Sequence, residues 1–384
     1  MSSLRIIVTG LIAQYPLGGV TWDYFQYVLG LVRLGHDVYY LEDTGQWPYN
    51  PLEGGVSKGC EFNVAYLSGL MSRFGLADKW AYRFPWQSQW FGLPEAKRRE
   101  VLHSADLLIN ISGTLEHPED YRQLPRLAYI DSDPVFTQVK LARGQMDFRK
   151  LIDVHDVHFS FGEHLSAAVP DTGHRWCPTR QPVVLSEWHP STPHRDVFTT
   201  VMNWTSYNPV VYNGQTYGQK DVEFLRFLAL PSLVNPTVFE IAVNEGKTRH
   251  APRTLLVHKG WRVVDPEVVC PDLESYRYYV ESSKAEWSVA KNGYVVGQPG
   301  WFSCRSACYL AAGRPVVVQD TGFSAVLPVG EGLMSFTTVE EAVAAIRHVE
   351  ANYTRHAKAA RAIAEAYFDS DKVLTRLITE ALGN

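Results

Sequence analysis

The chain has 384 residues, 46% of them apolar and 12% aromatic, with a formal net charge of −5. This length and apolar fraction suit two domains with full cores, and the acidic balance argues against a basic nucleic-acid footprint. Five irregularly spaced cysteines imply no disulfide framework, no stretch of 18 apolar residues predicts a membrane span, and the first residues carry no secretory pattern. The expectation is a soluble, cytoplasmic protein with reduced, buried thiols.

The first predicted element is LRIIVTG (4–10), an Ile- and Val-rich run that reads as a buried parallel strand. A loop with Gly18 and Gly19 follows. TWDYFQYVLGLVRLGH then places Tyr24, Tyr27, Val28, Leu31 and Leu34 at helical spacing and stops at Gly35. DVYYLED is the next strand, which completes a βαβ unit of Rossmann type. Residues 44–99, rich in Trp, Gly and Pro, read as loops and helices over a crevice, with Trp80, Tyr82, Trp86 and Trp90 as candidate platform aromatics.

Buried strands are predicted at ADLLINISG (105–113), RLAYIDSDP (126–134) and VHFSFGEHL (157–165). Carboxyl ends of parallel strands face the ligand crevice, which singles out Ser112, Gly113, Asp131 and Asp133. His155, His158 and His164 lie close in sequence but point in different directions along a strand, so no metal site is expected. Residues 176–195 carry four prolines and little periodicity, a linker signature.

The pattern then restarts. VFTTVMNW (197–204) and TVFEIAVNE (237–245) read as strands around the helix DVEFLRFLALPSL. TLLVHKGWRVVDP ends in a strand, LESYRYYVESSKAEWSV reads as one helix, and GYVVGQ reads as a strand. In GQPGWFSCRSACYLAAGRPVVVQDTG (297–322) a glycine-rich loop enters a helix near Ser303, Gly313 and Pro315 stop that helix, and VVVQ forms a strand. A helix start behind small residues suits an anion, and Arg305 in the first turn suits a phosphate. Gln319, Asp320 and Thr321 fall at a strand's carboxyl end, although Asp320 equally suits a turn cap. The remainder is helical, with a break near 369–371.

Several of these segments together resemble the GT-B glycosyltransferases, which use nucleotide-sugar donors. They are the Gly18–Gly19 loop entering the first helix, LGHDVYYLED closing it, GWFSCRSACYLAAGRPVVVQDTG, EGLMSFTTVEEAVAAI and the final YTRHAKAARAIAEAYFDSDKVL. The resemblance implies an α/β fold of two Rossmann-like domains facing across a cleft. An acceptor domain would span 1–185, a linker 186–197, a donor domain 198–365, and a helix at 366–384 would pack back on the first domain. It implies a UDP- or TDP-sugar donor, no required cofactor, and an acceptor hydroxyl on a small molecule or glycan; a base in DNA is a less favoured acceptor. The diphosphate would rest on Gly300, Ser303 and Arg305, the sugar near Gln319, Asp320, Thr321 and Gly322, and the nucleoside near Lys259, Gly260, Trp261 and Arg262. Asn203, Trp204, Thr205 and Lys220 would form a further donor loop.

Two departures bear on chemistry. The Glu-x7-Glu pair of many retaining members is absent, which favours inversion, and Val20 stands about where many inverting members carry a histidine. The general base is therefore sought among Asp133, Asp23 and His117, each with a structural alternative: Asp23 at a helix start, Asp133 before Pro134 in a turn, and His117 in a loop. An epimerase on the same fold and a two-lobed binding protein without catalysis are the rival readings.

Overall fold

The computed structural model describes residues 3–246 and 249–383. Its strands sort into two main sheets along the chain. The first sheet contains β1 (Arg5–Thr9), β2 (Asp37–Glu42), β3 (Trp80–Phe84), β4 (Gln89–Gly92), β5 (Leu107–Ile111), β6 (Leu127–Asp131), β7 (Val157–Ser160) and β8 (Trp176–Pro178), in the order β8-β7-β6-β5-β1-β2-β3-β4. All its pairings are parallel except β3 with β4. The second contains β9 (Phe198–Asn203), β10 (Phe239–Asn244), β11 (Arg262–Val264), β12 (Ala285–Ser288), β13 (Val316–Gln319) and β14 (Leu333–Phe336), in the order β11-β10-β9-β12-β13-β14 and wholly parallel. Strand order reverses between β1 and β5 in the first sheet and between β9 and β12 in the second. Ligands of doubly wound sheets bind beyond the carboxyl ends of strands at such reversals.

The helices that position the site are α1 (Gly18–Arg33), α2 (Phe136–Ala142), α3 (Leu273–Ser282), α4 (Asn292–Gly297), α5 (Cys304–Ala311) and α6 (Ser370–Leu382). The middle of α1 is buried on all faces, including Trp22, Phe25, Tyr27 and Leu31, as a helix packed on several sides must be. It carries much of the contact between the halves. Trp22 Nε1 donates across to Leu273 O at 2.9 Å, while Gln26 Oε1 holds the chain between the halves by accepting from Val184 N and Trp188 Nε1 at 3.1 Å each. Helix α6 returns to the first half and lies on α1 at Gly30, where a Cβ would sit 2.6 Å from Leu374 Cδ1. Asp369 caps α6 by accepting from Asp371 N, at the expected break.

Four local expectations differ from the structure. Residues 44–99 contribute β3 and β4 to the first sheet, so Trp80 and Tyr82 are buried core, not platform residues. Trp90 lies under the Arg98 guanidinium, 4.2 Å from its carbon. The linker-like stretch begins with an edge strand, β8. LESYRYYVESSKAEWSV is not one helix: α3 ends at the extended Ser283, and the fully buried AEWS run becomes β12. GYVVGQ is helix α4 rather than a strand. Gly293 and Gly297 bring α4 against the first half, where a Cβ would lie 2.4 Å from Phe136 Cζ and 2.5 Å from Val135 Cγ2 respectively.

Candidate active site

The two strand-order reversals open onto one cavity of about 660 Å³, within the range of small-molecule sites. Leu11, Ile111 and Ser112 line it from the first sheet, and Val201, Met202 and Asn203 from the second. Ser112 holds a left-handed φ of +59° at the end of β5, and its hydroxyl lies 2.6 Å from that of Ser132. Strain of this kind in a non-glycine residue persists where the surroundings hold it, often at functional sites.

Cations gather on the second half. Arg305 lies in the first turn of α5, partly buried and lining the cavity. Its Nε pairs with the buried Glu286 at 2.5 Å, and its terminal nitrogens donate at 2.8 Å to Val201 O and Ser288 Oγ. A guanidinium has five N–H donors, so this anchoring leaves donors available. Ser303 precedes α5 without a side-chain cap, and Ser303, Cys304 and Arg305 all line the cavity. The helix thus presents its uncapped N-terminus and partial positive charge to the cavity.

Lys220 also lines the cavity, at the start of the short helix Lys220–Phe224. Among the described residues no carboxylate lies within ion-pair distance of it. Burial, together with the neighbouring Arg305 and Lys291 charges, holds its pKa well below the ordinary lysine value. Lys220, Arg305 and the start of α5 together form a positive site with an unmet demand for an anion.

The carboxylates behave in two ways. Asp23 lines the cavity from the second turn of α1, and no described residue donates a hydrogen bond to its carboxylate. Burial pushes its pKa up to about 7, with Arg305 pulling the other way. Asp133 accepts from Lys291 Nζ at 2.9 Å and from the hydroxyls of Tyr207 and Tyr294. Burial alone would raise its pKa, but the Lys291 charge and the two phenol donors hold it below the ordinary carboxylate value. It ties the first half to the second, with three donors holding its charge. Asp131 accepts from Thr137, Gln138 and Ser160 and braces the loop after β6.

Of the expected site residues, the cavity brings together Asp23, Asp133, Gly19, Asn203, Lys220, Ser303 and Arg305. The others lie elsewhere, for identifiable reasons. His117 is exposed beside Glu116 and Glu119, away from the cavity. Trp204 and Trp261 are buried in an aromatic core with Phe224, and Trp261 Nε1 donates to Leu228 O. Lys259 and Gly260 sit on an exposed turn, and Arg262 is exposed at the start of β11. Thr205 Oγ1 joins the backbone of Arg249.

Gly18 serves packing, since a Cβ there would lie 2.2 Å from Asp272 O; Gly300 does the same against His164 N, at 2.7 Å. Gln319 is held by Glu223 and by Ala290 N, and Thr321 donates to Trp301 O. Both face a recess of only about 10 Å³. Asp320 caps its own turn by accepting from Gly322 N and Ser324 Oγ. A Cβ on Gly322 would lie 2.8 Å from Gln298 O.

His155 is a core residue, 3.0 Å from the Asn110 amide, with burial lowering its pKa to about 4. Lys291, Tyr207 and Tyr294 were not singled out from the sequence, although Lys291 closely follows the carboxyl end of β12.

No protein-family model matches the sequence, and no curated protein is similar to it in sequence. Solved structures do match the fold. An alpha-glucosyltransferase (AGT) in complex with UDP is 12% identical, with a TM-score of 0.59 over 99% of this chain and all of that one. Anabaena Alr3699/HepE in complex with UDP and glucose is 11% identical, with a TM-score of 0.58 over 99% of each chain. Sucrose-phosphate synthase from Thermosynechococcus elongatus is 11% identical, with a TM-score of 0.57 over 98% of this chain and 99% of that one. Over nearly its whole length, this chain has the GT-B fold of these glycosyltransferases.

Proposed function

We propose that this protein is a glycosyltransferase that moves a sugar from a nucleoside diphosphate sugar, UDP-linked in the first instance, to an acceptor hydroxyl. The observation that carries the reading is the unpaired Lys220 beside Arg305 and the open start of α5. A diphosphate supplies the missing negative charge, and fixed donors aimed at a leaving diphosphate stabilise the transition state. In this reading 198–365 is the donor domain, 1–185 the acceptor domain, 186–197 the linker and 366–384 the returning helix. The matched UDP-bound structures, at full-length coverage, support the choice of donor.

Asp23 is the general base. A carboxylate with a pKa of about 7 is half ionised near neutrality, where proton transfer is most effective. It takes the proton of the acceptor hydroxyl as that oxygen attacks the anomeric carbon, and the bond to the diphosphate oxygen breaks. A base acting on an attacking hydroxyl suits inversion. Asp133 is a positioning residue in this scheme, holding Lys291 at the cavity wall. Lys220, Arg305 and the α5 amides carry the neutralisation of the leaving diphosphate.

The test has two parts. UDP and other nucleoside diphosphates are screened for a rise in melting temperature, which tight binding to the folded state produces by mass action. UDP release from UDP-glucose is then followed with an acceptor panel. UDP release in step with product supports transfer; interconversion of the sugar with no acceptor would indicate an epimerase. A diphosphate-induced shift without turnover on any acceptor would indicate a binding protein.

A further inference from the structure

The cavity lining holds a further cation, contributed by the first half. Lys140 lines the cavity from α2. Among the described residues no carboxylate pairs with its ammonium. The nearby carboxylates of Asp131 and Asp133 are already engaged by other donors, and that of Asp147 pairs with Lys150 in solvent. The Lys140 Nζ instead lies 5.2 Å from the Phe148 ring centroid and 6.0 Å from that of Tyr207, and Phe148 lines the same cavity. Lys140 is not among the charges that depress Lys220, which are Arg305 and Lys291. The first half also lends the cavity the hydroxyls of Ser112 and Ser132. The second half contributes Lys220, Arg305 and the start of α5 to the same lining.

We infer that Lys140 recognises an anionic group on the acceptor, and that the acceptor is a small sugar bearing a phosphate ester. This rests on the donor reading above, which places the diphosphate on the second half and leaves the first-half wall to the acceptor. A cation without a carboxylate partner, held between aromatic faces inside a cavity, favours an anion whose charge-assisted bond strengthens as water is excluded. A serine pair suits sugar hydroxyls, and Phe148 suits the apolar face of a sugar ring. A small acceptor is favoured over a polyanion, because the chain is acidic overall and nucleic-acid binding draws on broad positive surfaces. The structural alternative is that Lys140, in the last turn of α2, merely complements the helix dipole.

The experiment uses the full chain with UDP-glucose and follows UDP release. The acceptor probes are glucose 6-phosphate, fructose 6-phosphate and mannose 6-phosphate, each beside its unphosphorylated parent, with glucuronate and a short DNA duplex as further arms. One phosphorylated sugar is expected to exceed its parent in kcat/KM by about tenfold or more, the value of a charge-assisted hydrogen bond. Lys140→Gln removes that preference through KM, and Lys140→Arg keeps most of it. Equal use of phosphorylated and parent sugars, preference for the duplex or for glucuronate, or an equal loss on all acceptors in Lys140→Gln overturns the inference. A lower melting temperature in Lys140→Gln with unchanged acceptor preference assigns Lys140 to the helix dipole and overturns it too. The donor reading is separated by UDP alone: no thermal shift with UDP sinks both readings, whereas a shift without phosphate preference sinks only this one.

Discussion

Along α1 the cavity meets a carboxylate that nothing holds; along α4 it meets one held from three sides. Asp23 is desolvated with only Arg305 to favour its charge, and its proton is retained to about pH 7. Asp133 sits among Lys291, Tyr207 and Tyr294, and stays ionised. Both are aspartates from the first half that face the second. Burial disfavours charge at each, and only the donors decide the outcome. The α1 side is left chemically unfinished, whereas the α4 side is a closed clasp. In that clasp Val135 and Phe136 also press on Gly297 and Gly293, His164 N donates to Pro299 O at 2.9 Å, and Ser166 Oγ donates to Gly297 O. A group that waits for a substrate and a group that fixes the architecture are thus distinguished by their unfilled hydrogen-bonding capacity.

The largest expected effect comes from breaking the unfinished side. Asp23→Asn removes the base and lowers kcat by about a hundredfold or more. In the parent, kcat/KM rises with pH through about 7, and that rise is absent in the variant. Stability moves the opposite way. The folded-state pKa lies above the unfolded value, so the native state holds its proton more tightly. The contribution of Asp23 to stability therefore falls as pH climbs from the ordinary aspartate value to about 7. Asp23→Asn then raises the melting temperature of the ligand-free protein, more at pH 8 than at pH 5. Thermal melts at fixed ionic strength at the two pH values check this, and a variant that loses both activity and stability would count against a free carboxylate.

Lys220→Met probes the opposite wall of the same cavity. Loss of one charge-assisted contact to phosphate weakens UDP binding by about tenfold or more, read by titration calorimetry. The native site depresses the lysine pKa, so its charge opposes folding at neutral pH, and the methionine variant melts higher without ligand. An unchanged UDP affinity would place the diphosphate elsewhere.

The clasp should respond in stability. Asp133→Ala leaves the partly buried Lys291 without a counter-charge, and the buried Tyr294 and partly buried Tyr207 phenols without an acceptor, at a cost of about 2–3 kcal/mol. Gly297→Ala drives a methyl to within 2.5 Å of Val135 Cγ2 and costs about 1–3 kcal/mol by overpacking. Denaturant unfolding measures both. Loss of activity with unchanged stability in Asp133→Ala would return that residue to the role of base.

What the sequence showed of this site followed the elements it showed. The βα alternation, the helix start at Ser303 and the strand ends at Ser112, Asn203 and Asp131–Asp133 were all legible, because apolar runs, glycine stops and the crevice rule act locally. The clasp was not. Reading LESYRYYVESSKAEWSV as one helix hid β12, and with it the significance of Lys291 just beyond that strand. Reading GYVVGQ as a strand hid α4, because two valines suit either structure and the arbiter is the distant pair Val135 and Phe136. Trp204 and Trp261 were placed by analogy, whereas their size and their packing with Phe224 drew them into the core. Whether a carboxylate is free or held depends on partners up to 161 residues away, which no local pattern encodes.

The smallest effect is expected on the exposed turn after the helix Arg253–His258 and at the start of β11. Lys259 and Arg262 carry charge of the right sign for a nucleotide, yet their side chains stand in solvent away from the cavity. Exposed cations without fixed partners add little to affinity at physiological salt, where screening acts within about 8 Å. Lys259→Ala and Arg262→Ala should each leave UDP affinity within about twofold of the parent and stability within about 0.5 kcal/mol. Lys220→Met, removing a charge of the same sign from inside the cavity, should not. If these two surface variants weaken UDP binding as much as Lys220→Met does, attraction by overall charge governs the donor, and the local distinction between free and engaged groups loses its force.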